Sequence, residues 1–207
     1  MRPIVLASAS PRRAELLAQL GLQSGRHFSL GPVAIDETPQ TDEPPARYVT
    51  RLAREKAMAG LARTTDAGAL VIGSDTSVIC DDEILGKPRD RAEAEAMLAR
   101  LSGRSHTVMT AVAIAASEQG CVERLVTTEV DFRPLTAREI SAYCATGEPM
   151  DKAGAYGIQG RGGAFVTALR GSYSAVVGLP LEQTASLLAE AGQPVWQFWA
   201  AARTGQL

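Results

Sequence analysis

Two arginines follow a row of small residues at the point where a short apolar strand gives way to a helical pattern. The strand ends at Leu6, Ser10 is suited to cap the helix, and Pro11 fits its first position, where no backbone N–H is needed. Arg12 and Arg13 come next. Because a helix begins with unpaired N–H groups and a positive dipole end, this stretch predicts a phosphate site. Taken alone, it equally fits an ordinary strand–turn–helix with two solvated arginines.

Charged side chains elsewhere in the chain provide the other groups that phosphoryl chemistry requires. Such chemistry uses carboxylates to hold a divalent ion and cations to bind phosphate oxygens. Asp75 follows a short apolar strand pattern and is placed to act as a metal ligand or general base, with Glu37 as a second carboxylate. Arg13, Lys56 and Lys87 are candidate phosphate-binding cations.

Each of these residues also has a structural interpretation. Asp75 fits a helix or turn cap, Lys56 a solvated lysine on a long helix, and Lys87 an ordinary loop residue before a proline. His27 and His106 have no partners at the spacing of a metal site or a catalytic triad. We therefore interpret both histidines as structural.

Composition limits the class of protein. The 207 residues carry a net charge of -2 and are 45% hydrophobic, which suits one substantial domain and argues against a surface that binds nucleic acid. The three cysteines are widely spaced without a CxxC pair, which favours a reducing compartment. The N-terminus lacks a signal-peptide pattern, and no apolar stretch approaches the ~20 residues of a membrane span. We expect a cytoplasmic protein with neither membrane nor nucleic acid as partner.

Helical and strand patterns that must position the charged residues are interspersed along the chain. Strand patterns occur at 4–6, 26–35, 69–73, 77–80, 84–85, 106–116, 121–132, 164–169 and 173–177. Helical patterns begin at Pro11, Ala46, Asp90, Thr136 and Pro180, and the pairs Asp90/Glu93 and Thr136/Glu139 predict capping boxes. The strand patterns at 106–116 and 121–132 are predicted to form a hairpin. The glycine-rich segment 151–163 is predicted to be irregular, and the aromatic tail (Trp196, Phe198, Trp199) is predicted to dock on the core. This order favours an α/β fold with a mixed sheet.

Taken together, these stretches resemble the Maf family of nucleoside triphosphate pyrophosphatases over nearly the whole chain. The resemblance implies one domain over 1–207, with a mixed twisted central sheet flanked by helices. The expected fold is elongated, two-lobed and inosine-triphosphatase-like, with a substrate cleft between the lobes. It also implies a divalent cation, Mg²⁺ or Mn²⁺, and a homodimer. The motifs that carry it are SASPRR (8–13), IDE (35–37), RLAREKA (51–57), GSDT (73–76), LGKPRD (85–90), SGRSHTVMTAV (102–112), GEPMDKAGAYGIQG (147–160) and GSYSAVVGLP (171–180).

Roles for individual residues follow from the resemblance. The family cleaves between the α- and β-phosphates to give a nucleoside monophosphate and pyrophosphate. Asp75 matches the proposed proton acceptor and Glu37 a carboxylate that handles metal or water, so both are candidate metal ligands. Lys87 matches a phosphate-binding position in the catalytic set. Ser8, Arg13 and Lys56 match substrate-binding positions.

The resemblance further implies which base is selected. Arg12, Thr76 and Gln159 occupy positions tied to base selection, and here they look like the branch that hydrolyses dTTP and UTP, with modified pyrimidine triphosphates as further candidates. A glutamine amide can both donate and accept, which matches the O4/N3 edge of a pyrimidine. Two alternatives stay open: a 7-methyl-GTP pyrophosphatase of the same family, and a nucleotide-binding regulator of cell division.

Two serines depart from the family pattern. Ser74 stands where the family commonly has alanine, and Ser77 replaces an apolar residue. Because both flank Asp75 closely, we expect them to affect its hydrogen bonding and the rate of reaction more than the type of reaction.

Overall fold

The computed structural model describes residues 1–203 and contains one seven-stranded sheet. Its strands are β1 (Ile4–Leu6), β2 (Phe28–Leu30), β3 (Leu70–Cys80), β4 (Glu83–Leu85), β5 (Ser105–Ala116), β6 (Gly120–Phe132) and β7 (Val166–Arg170). The α-helices are α1 (Pro11–Gln19), α2 (Pro45–Arg63), α3 (Arg91–Leu101), α4 (Ala137–Cys144), α5 (Tyr173–Val177) and α6 (Leu181–Glu190). Short 3₁₀ turns cover Glu148–Asp151, Ala153–Ala155, Arg161–Phe165 and Val195–Arg203.

The sheet is mixed, as the sequence predicts. Its strand order is β2-β1-β3-β5-β6-β7, and β4 pairs with β3 in a hairpin. β1 runs parallel to β2 and β3, whereas β3, β5, β6 and β7 pair antiparallel. The predicted α/β class with helices around a mixed central sheet is confirmed. The domain prediction for 1–207 extends past the described residues and stays a prediction.

Strand β3 is longer than the sequence pattern indicates, and this changes the place of Asp75. The predicted strand stops near Gly73, but β3 continues to Cys80, so Asp75 lies in mid-strand rather than in a loop after it. Ser74, Asp75 and Ser77 are all buried, although their polarity resembles that of a turn. The strand continues because its backbone pairs with β5, where Asp75 lies opposite Ala111.

Helix α2 packs closely on β3 because small residues meet there. A Cβ atom at Gly73 would overlap the carbonyl oxygen of Ala53 and lie 2.5 Å from the backbone nitrogen of Ala57. The buried face of α2 consists of Val49, Leu52, Ala53, Ala57 and Gly60. The close approach brings the Lys56 side chain of α2 next to Asp75 of β3.

The short segment Tyr173–Val177 is helix α5, so the predicted strand there is wrong. Ser172 caps the helix by accepting a hydrogen bond from the Ala175 N–H at 3.2 Å. Gly178, with a φ of 135°, ends it. The local capping chemistry overrides the strand preference of the two valines. The extended pattern at 26–35 likewise contributes only the short strand β2.

The capping predictions have mixed outcomes. Thr136 and Glu139 form the predicted reciprocal capping box of α4. Asp90 caps α3 as predicted, but the Glu93 carboxylate accepts from the Arg89 N–H instead of from Asp90. Ser10 is the residue before α1, yet its side chain makes no capping hydrogen bond.

Apolar side chains form two large buried clusters. The first joins β1, α1 and α6 and includes Leu6, Leu17, Leu70, Ile72, Leu179, Leu188 and the tail residue Phe198. The second joins α3, α4 and β6 and includes Leu98, Leu101, Val130, Phe132, Tyr143 and Tyr156. The predicted docking of the tail is confirmed for Phe198, whereas Trp196 and Trp199 are exposed, although Trp199 donates its Nε1–H to the carbonyl of Leu20 at 2.9 Å. Within residues 1–203, no helix combines the length and apolarity that a bilayer crossing requires.

Candidate active site

A pocket of about 450 Å³ opens between the two apolar clusters. Its walls include Val177 of the first cluster, together with Val78, Val108 and Tyr156 of the second. Side chains from α1, α2 and β3, the turn after β4 and the glycine-rich segment converge on it. Among the residues that line it are Arg12, Arg13, Glu37, Lys56, Asp75, Thr76, Lys87 and Gln159, which are eight of the nine residues predicted from the sequence.

Ser8, the ninth predicted residue, lies behind Arg13 and is buried. Its Oγ accepts one hydrogen bond from an Arg13 terminal nitrogen at 3.2 Å and another from the Ser10 N–H at 3.1 Å. The Arg13 Nε donates to the carbonyl of Gly178 at 2.8 Å. Two fixed acceptors therefore orient the Arg13 guanidinium at the pocket wall.

Lys56 joins the two candidate carboxylates. Its Nζ lies 2.8 Å from Asp75 Oδ1 and 2.6 Å from Glu37 Oε1. The Lys56 and Asp75 side chains are each only 11% exposed, whereas that of Glu37 is 53% exposed. One ammonium group thus holds a buried carboxylate and a solvent-facing carboxylate at the same point.

The two carboxylates have opposite pKa shifts. Burial raises the pKa of Asp75, and the nearby Lys56 and Arg13 offset that rise only in part. Burial also raises the pKa of Glu37, but the hydrogen bond and charge of Lys56, with the charges of Lys87 and Arg13, outweigh it and lower the pKa overall. A carboxylate with a raised pKa is the better proton acceptor near neutral pH, so Asp75 is suited to be the base.

The predicted base-selecting residues are anchored by neighbours. An Arg12 terminal nitrogen lies 3.3 Å from Asp151 Oδ2, so an ion pair joins α1 to the glycine-rich segment. The hydroxyl oxygens of Thr76 and Thr110 of β5 lie 3.1 Å apart, and Thr110 donates its hydroxyl to the carbonyl of Ala175 at 2.7 Å. Gln159 lines the pocket from the turn that follows Gly157.

Sequence reasoning missed several pocket residues, of which Tyr48 is the most informative. Its hydroxyl donates to the carbonyl of Glu37 at 2.8 Å, which ties the acidic loop to α2. Burial raises the pKa of Tyr48 to about 12. Tyr48 lies about two helical turns before Lys56, so the two side chains share a face of α2. This spacing could have identified Tyr48 as a pocket residue from the sequence. Asp151, Lys152 and Tyr156 also line the pocket, and only their place in the glycine-rich motif pointed to them.

The donor set suits a hard divalent cation. Glu37 and Asp75 supply carboxylate oxygens, the ligand type that Mg²⁺ and Mn²⁺ prefer. Among the described residues, no group of three or more acidic, histidine or cysteine side chains is arranged to bind a metal ion. Magnesium commonly uses one or two carboxylates plus substrate phosphates, and the pair in this pocket fits that pattern.

Family comparison agrees with the resemblance inferred from the motifs. Residues 3–191 match the model for Maf-like proteins, and the chain belongs to the Maf family. A protein of Shewanella sp. (strain MR-7) named dTTP/UTP pyrophosphatase is 58% identical over 193 residues, which cover 91% of this chain and 98% of that protein. A protein of the same name from Alcanivorax borkumensis is 54% identical and covers 94% of this chain and 98% of its own.

Two solved structures match this chain at lower identity. A HAM1 protein from Coxiella burnetii matches with a TM-score of 0.49 and 18% identity, over 92% of this chain and 100% of that one. A nucleoside-triphosphatase / dITP/XTP pyrophosphatase from Mycobacterium abscessus matches with a TM-score of 0.42 and 17% identity, over 64% of this chain and 75% of that one.

Proposed function

We propose that this protein hydrolyses dTTP and UTP to the nucleoside monophosphate and pyrophosphate, and that it also accepts modified pyrimidine triphosphates. The observation that carries the proposal is the contact of Lys56 with both Asp75 and Glu37 inside a pocket that Arg13 and Lys87 also line. The names of the relatives from Shewanella and Alcanivorax support the same reaction and the same bases.

The cations of the pocket bind the triphosphate. Arg13 is oriented by Ser8 and Gly178, so its guanidinium meets phosphate oxygens with little loss of conformational freedom. Lys87 and Lys56 add positive charge to the same pocket. Because Lys56 already contacts two carboxylates, an arriving phosphate adds a competing acceptor to its ammonium group.

Asp75 receives the proton of the attacking water. A new P–O bond forms between the water oxygen and one phosphorus of the α–β bridge, and the bond from that phosphorus to the bridging oxygen breaks. The bridging oxygen leaves with the other product, and the water proton moves to an Asp75 carboxylate oxygen. Burial of Asp75 favours its proton-bound form, which makes this transfer easier than it is for an exposed aspartate. Glu37 stays ionised beside it.

Glu37 and Asp75 are the residues that would hold Mg²⁺ or Mn²⁺. The cation, when bound, offsets the negative charge that the phosphate oxygens bring into the pocket. We expect a chelator to abolish hydrolysis and added Mg²⁺ or Mn²⁺ to restore it, measured as pyrophosphate release. Full activity in excess chelator, with the melting temperature unchanged as a control for folding, would contradict the metal requirement.

Arg12, Thr76 and Gln159 select the base. The Gln159 amide can donate to O4 of a pyrimidine and accept from its N3–H. The test is a panel of triphosphates that includes dTTP, UTP, CTP, GTP and 7-methyl-GTP, compared by kcat/KM. We expect dTTP and UTP to be preferred, and a preference for 7-methyl-GTP would replace this substrate assignment. The cytoplasmic location and the homodimer stay predictions of the sequence.

A further inference from the structure

The turn that carries Gln159 is fastened from outside the pocket by two side chains that lie close in sequence. Tyr143 belongs to α4, and Glu148 begins the 3₁₀ turn that follows it. The Tyr143 hydroxyl donates to Glu148 Oε1 at 2.9 Å. We call this pair the loop clamp, and we call residues 157–162 the base loop.

The loop clamp binds the base loop on both sides of Gln159. Before it, the Gly157 N–H donates to the Tyr143 hydroxyl at 3.1 Å. After it, the Arg161 N–H donates to Glu148 Oε2 at 3.1 Å and the Gly162 N–H donates to Glu148 Oε1 at 3.2 Å. Three backbone amides of one short loop therefore depend on two side chains outside it.

The clamp is buried and closely packed against the loop. The Glu148 side chain is only 15% exposed, and the Tyr143 ring packs edge-on against Phe165 at a centroid distance of 5.0 Å. A Cβ atom at Gly160 would lie 2.6 Å from the Glu148 carboxyl carbon, and one at Gly162 would lie 2.8 Å from the Tyr143 hydroxyl. These two glycines allow the clamp to reach the loop backbone, which accounts for part of the glycine-rich pattern.

The negative charge of Glu148 also suits it to accept hydrogen bonds from the base loop. Burial alone raises the pKa of Glu148, but the hydrogen bonds from Gly162, Arg161 and Tyr143 outweigh it and lower the pKa overall. The ionised carboxylate accepts all of these bonds without conflict, whereas a protonated carboxyl group would add an O–H donor to an oxygen that already faces a donor. An uncharged amide would place an N–H group against at least one of the donors.

We propose that Glu148 and Tyr143 are positioning residues for base selection, because they hold the base loop so that the Gln159 amide meets the nucleotide base at a fixed angle. This inference rests on the proposed function, since it takes Gln159 as a base-reading residue. Neither clamp residue lines the pocket, so both act through the loop.

The test compares Glu148→Gln and Tyr143→Phe with a matched control, Thr136→Ala. The control removes the cap of α4, the helix that carries Tyr143, and touches neither the clamp nor the pocket. Two measurements are made on each protein. One is amide hydrogen exchange of Gly157, Arg161 and Gly162, and the other is the ratio of kcat/KM for dTTP to that for GTP.

We expect exchange to be about tenfold faster or more at Gly157 in Tyr143→Phe, and at Arg161 or Gly162 in Glu148→Gln, since these are the amides that lose an acceptor in each variant. The dTTP-to-GTP ratio should fall by roughly fivefold or more through KM, with kcat for dTTP within about twofold, because Asp75 and Lys56 are untouched. Thr136→Ala should change neither reading.

Three results would overturn the inference. They are unchanged exchange in both clamp variants, faster exchange with an unchanged ratio, and an equal fall of the ratio in Thr136→Ala. A wild-type protein inactive on dTTP and UTP would contradict the proposed function instead, while the exchange measurement would still report on the clamp.

Discussion

Asp75 and Glu37 share one lysine and yet have different chemical characters. Asp75 is buried in mid-strand and its pKa is raised, whereas Glu37 lies on a solvent-facing loop and its pKa is lowered. Two neighbouring carboxylates whose environments separate their pKa values can act as base and ionised partner at the same pH. The arrangement depends on Lys56, which is within hydrogen-bonding distance of both.

Replacing Asp75 by asparagine tests the role of the base. The amide keeps the size of the side chain but cannot take a proton from water, so kcat should fall by about 10²- to 10⁴-fold. Steady-state kinetics with dTTP measures the loss, and circular dichroism shows whether the fold is kept. A variant that retains most of its kcat would show that another group accepts the proton.

Gln159 offers a second test at the scale of a residue. Replacing it with alanine removes the amide that matches a pyrimidine edge, so the preference for dTTP over GTP should fall by roughly tenfold or more. The ratio of kcat/KM values measures this preference. An unchanged ratio would remove Gln159 from base selection.

Among the elements, α2 and β3 matter most for the site, because their contact brings Lys56 to Asp75. Gly73 permits the contact, since any side chain there would meet the α2 backbone at Ala53 and Ala57. The helix contributes the cation, Lys56, and the strand contributes the buried acid, Asp75.

Gly73→Ala should push α2 away from β3. Overpacking of this kind costs about 1–3 kcal/mol of unfolding free energy, and the displaced lysine should also lower kcat/KM. Urea denaturation and steady-state kinetics measure the two effects. Gly68→Ala, in the turn before β3, is the matched control and should change neither substantially. Wild-type stability and activity in Gly73→Ala would show that the site tolerates a wider spacing between α2 and β3.

His106 joins β5 to the segment that carries Tyr156. Its Nε2 lies 2.8 Å from the Tyr156 hydroxyl, and its Nδ1 has no hydrogen-bond partner among the described residues. Burial lowers the pKa of His106 to about 4. The folded protein therefore keeps this imidazole neutral at pH values where the unfolded chain protonates it.

This pKa predicts a loss of stability in acid. Because the folded pKa lies below the unfolded value of about 6.5, the unfolded state binds more protons between them, and stability falls as pH drops through that window. From pH 7 to pH 5, His106 should account for about 2 kcal/mol of the loss. His106→Gln should remove that part, as urea denaturation at both pH values would show. An identical pH dependence in the variant would place the loss elsewhere.

Much of the whole molecule could be predicted from the sequence, for identifiable reasons. Eight of the nine predicted site residues line one pocket. Arg13, Glu37, Lys56, Asp75 and Lys87 were predicted from residue type and position, whereas Arg12, Thr76 and Gln159 were predicted from the family resemblance. The long hairpin of β5 and β6 and the capping box at Thr136 were also evident from local patterns. These features depend on residues that are near one another in the chain.

The remaining features depend on contacts between distant residues. The extension of β3 through Asp75 requires pairing with β5, which no local pattern shows. Helix α5 is a local exception, since its cap at Ser172 bonds to Ala175 only three residues away, and the strand preference of the valines concealed it. The link from Tyr48 to Glu37 and the clamp by Glu148 likewise join separate segments.

Product analysis with dTTP distinguishes cleavage of the α–β bridge from loss of the terminal phosphate. Wild-type protein is incubated with dTTP and Mg²⁺ or Mn²⁺, and the products are resolved by ³¹P NMR, with Asp75→Asn as the matched control. We expect equal amounts of the nucleoside monophosphate and pyrophosphate from the wild type, and little of either from Asp75→Asn. Release of orthophosphate and the nucleoside diphosphate would contradict this expectation.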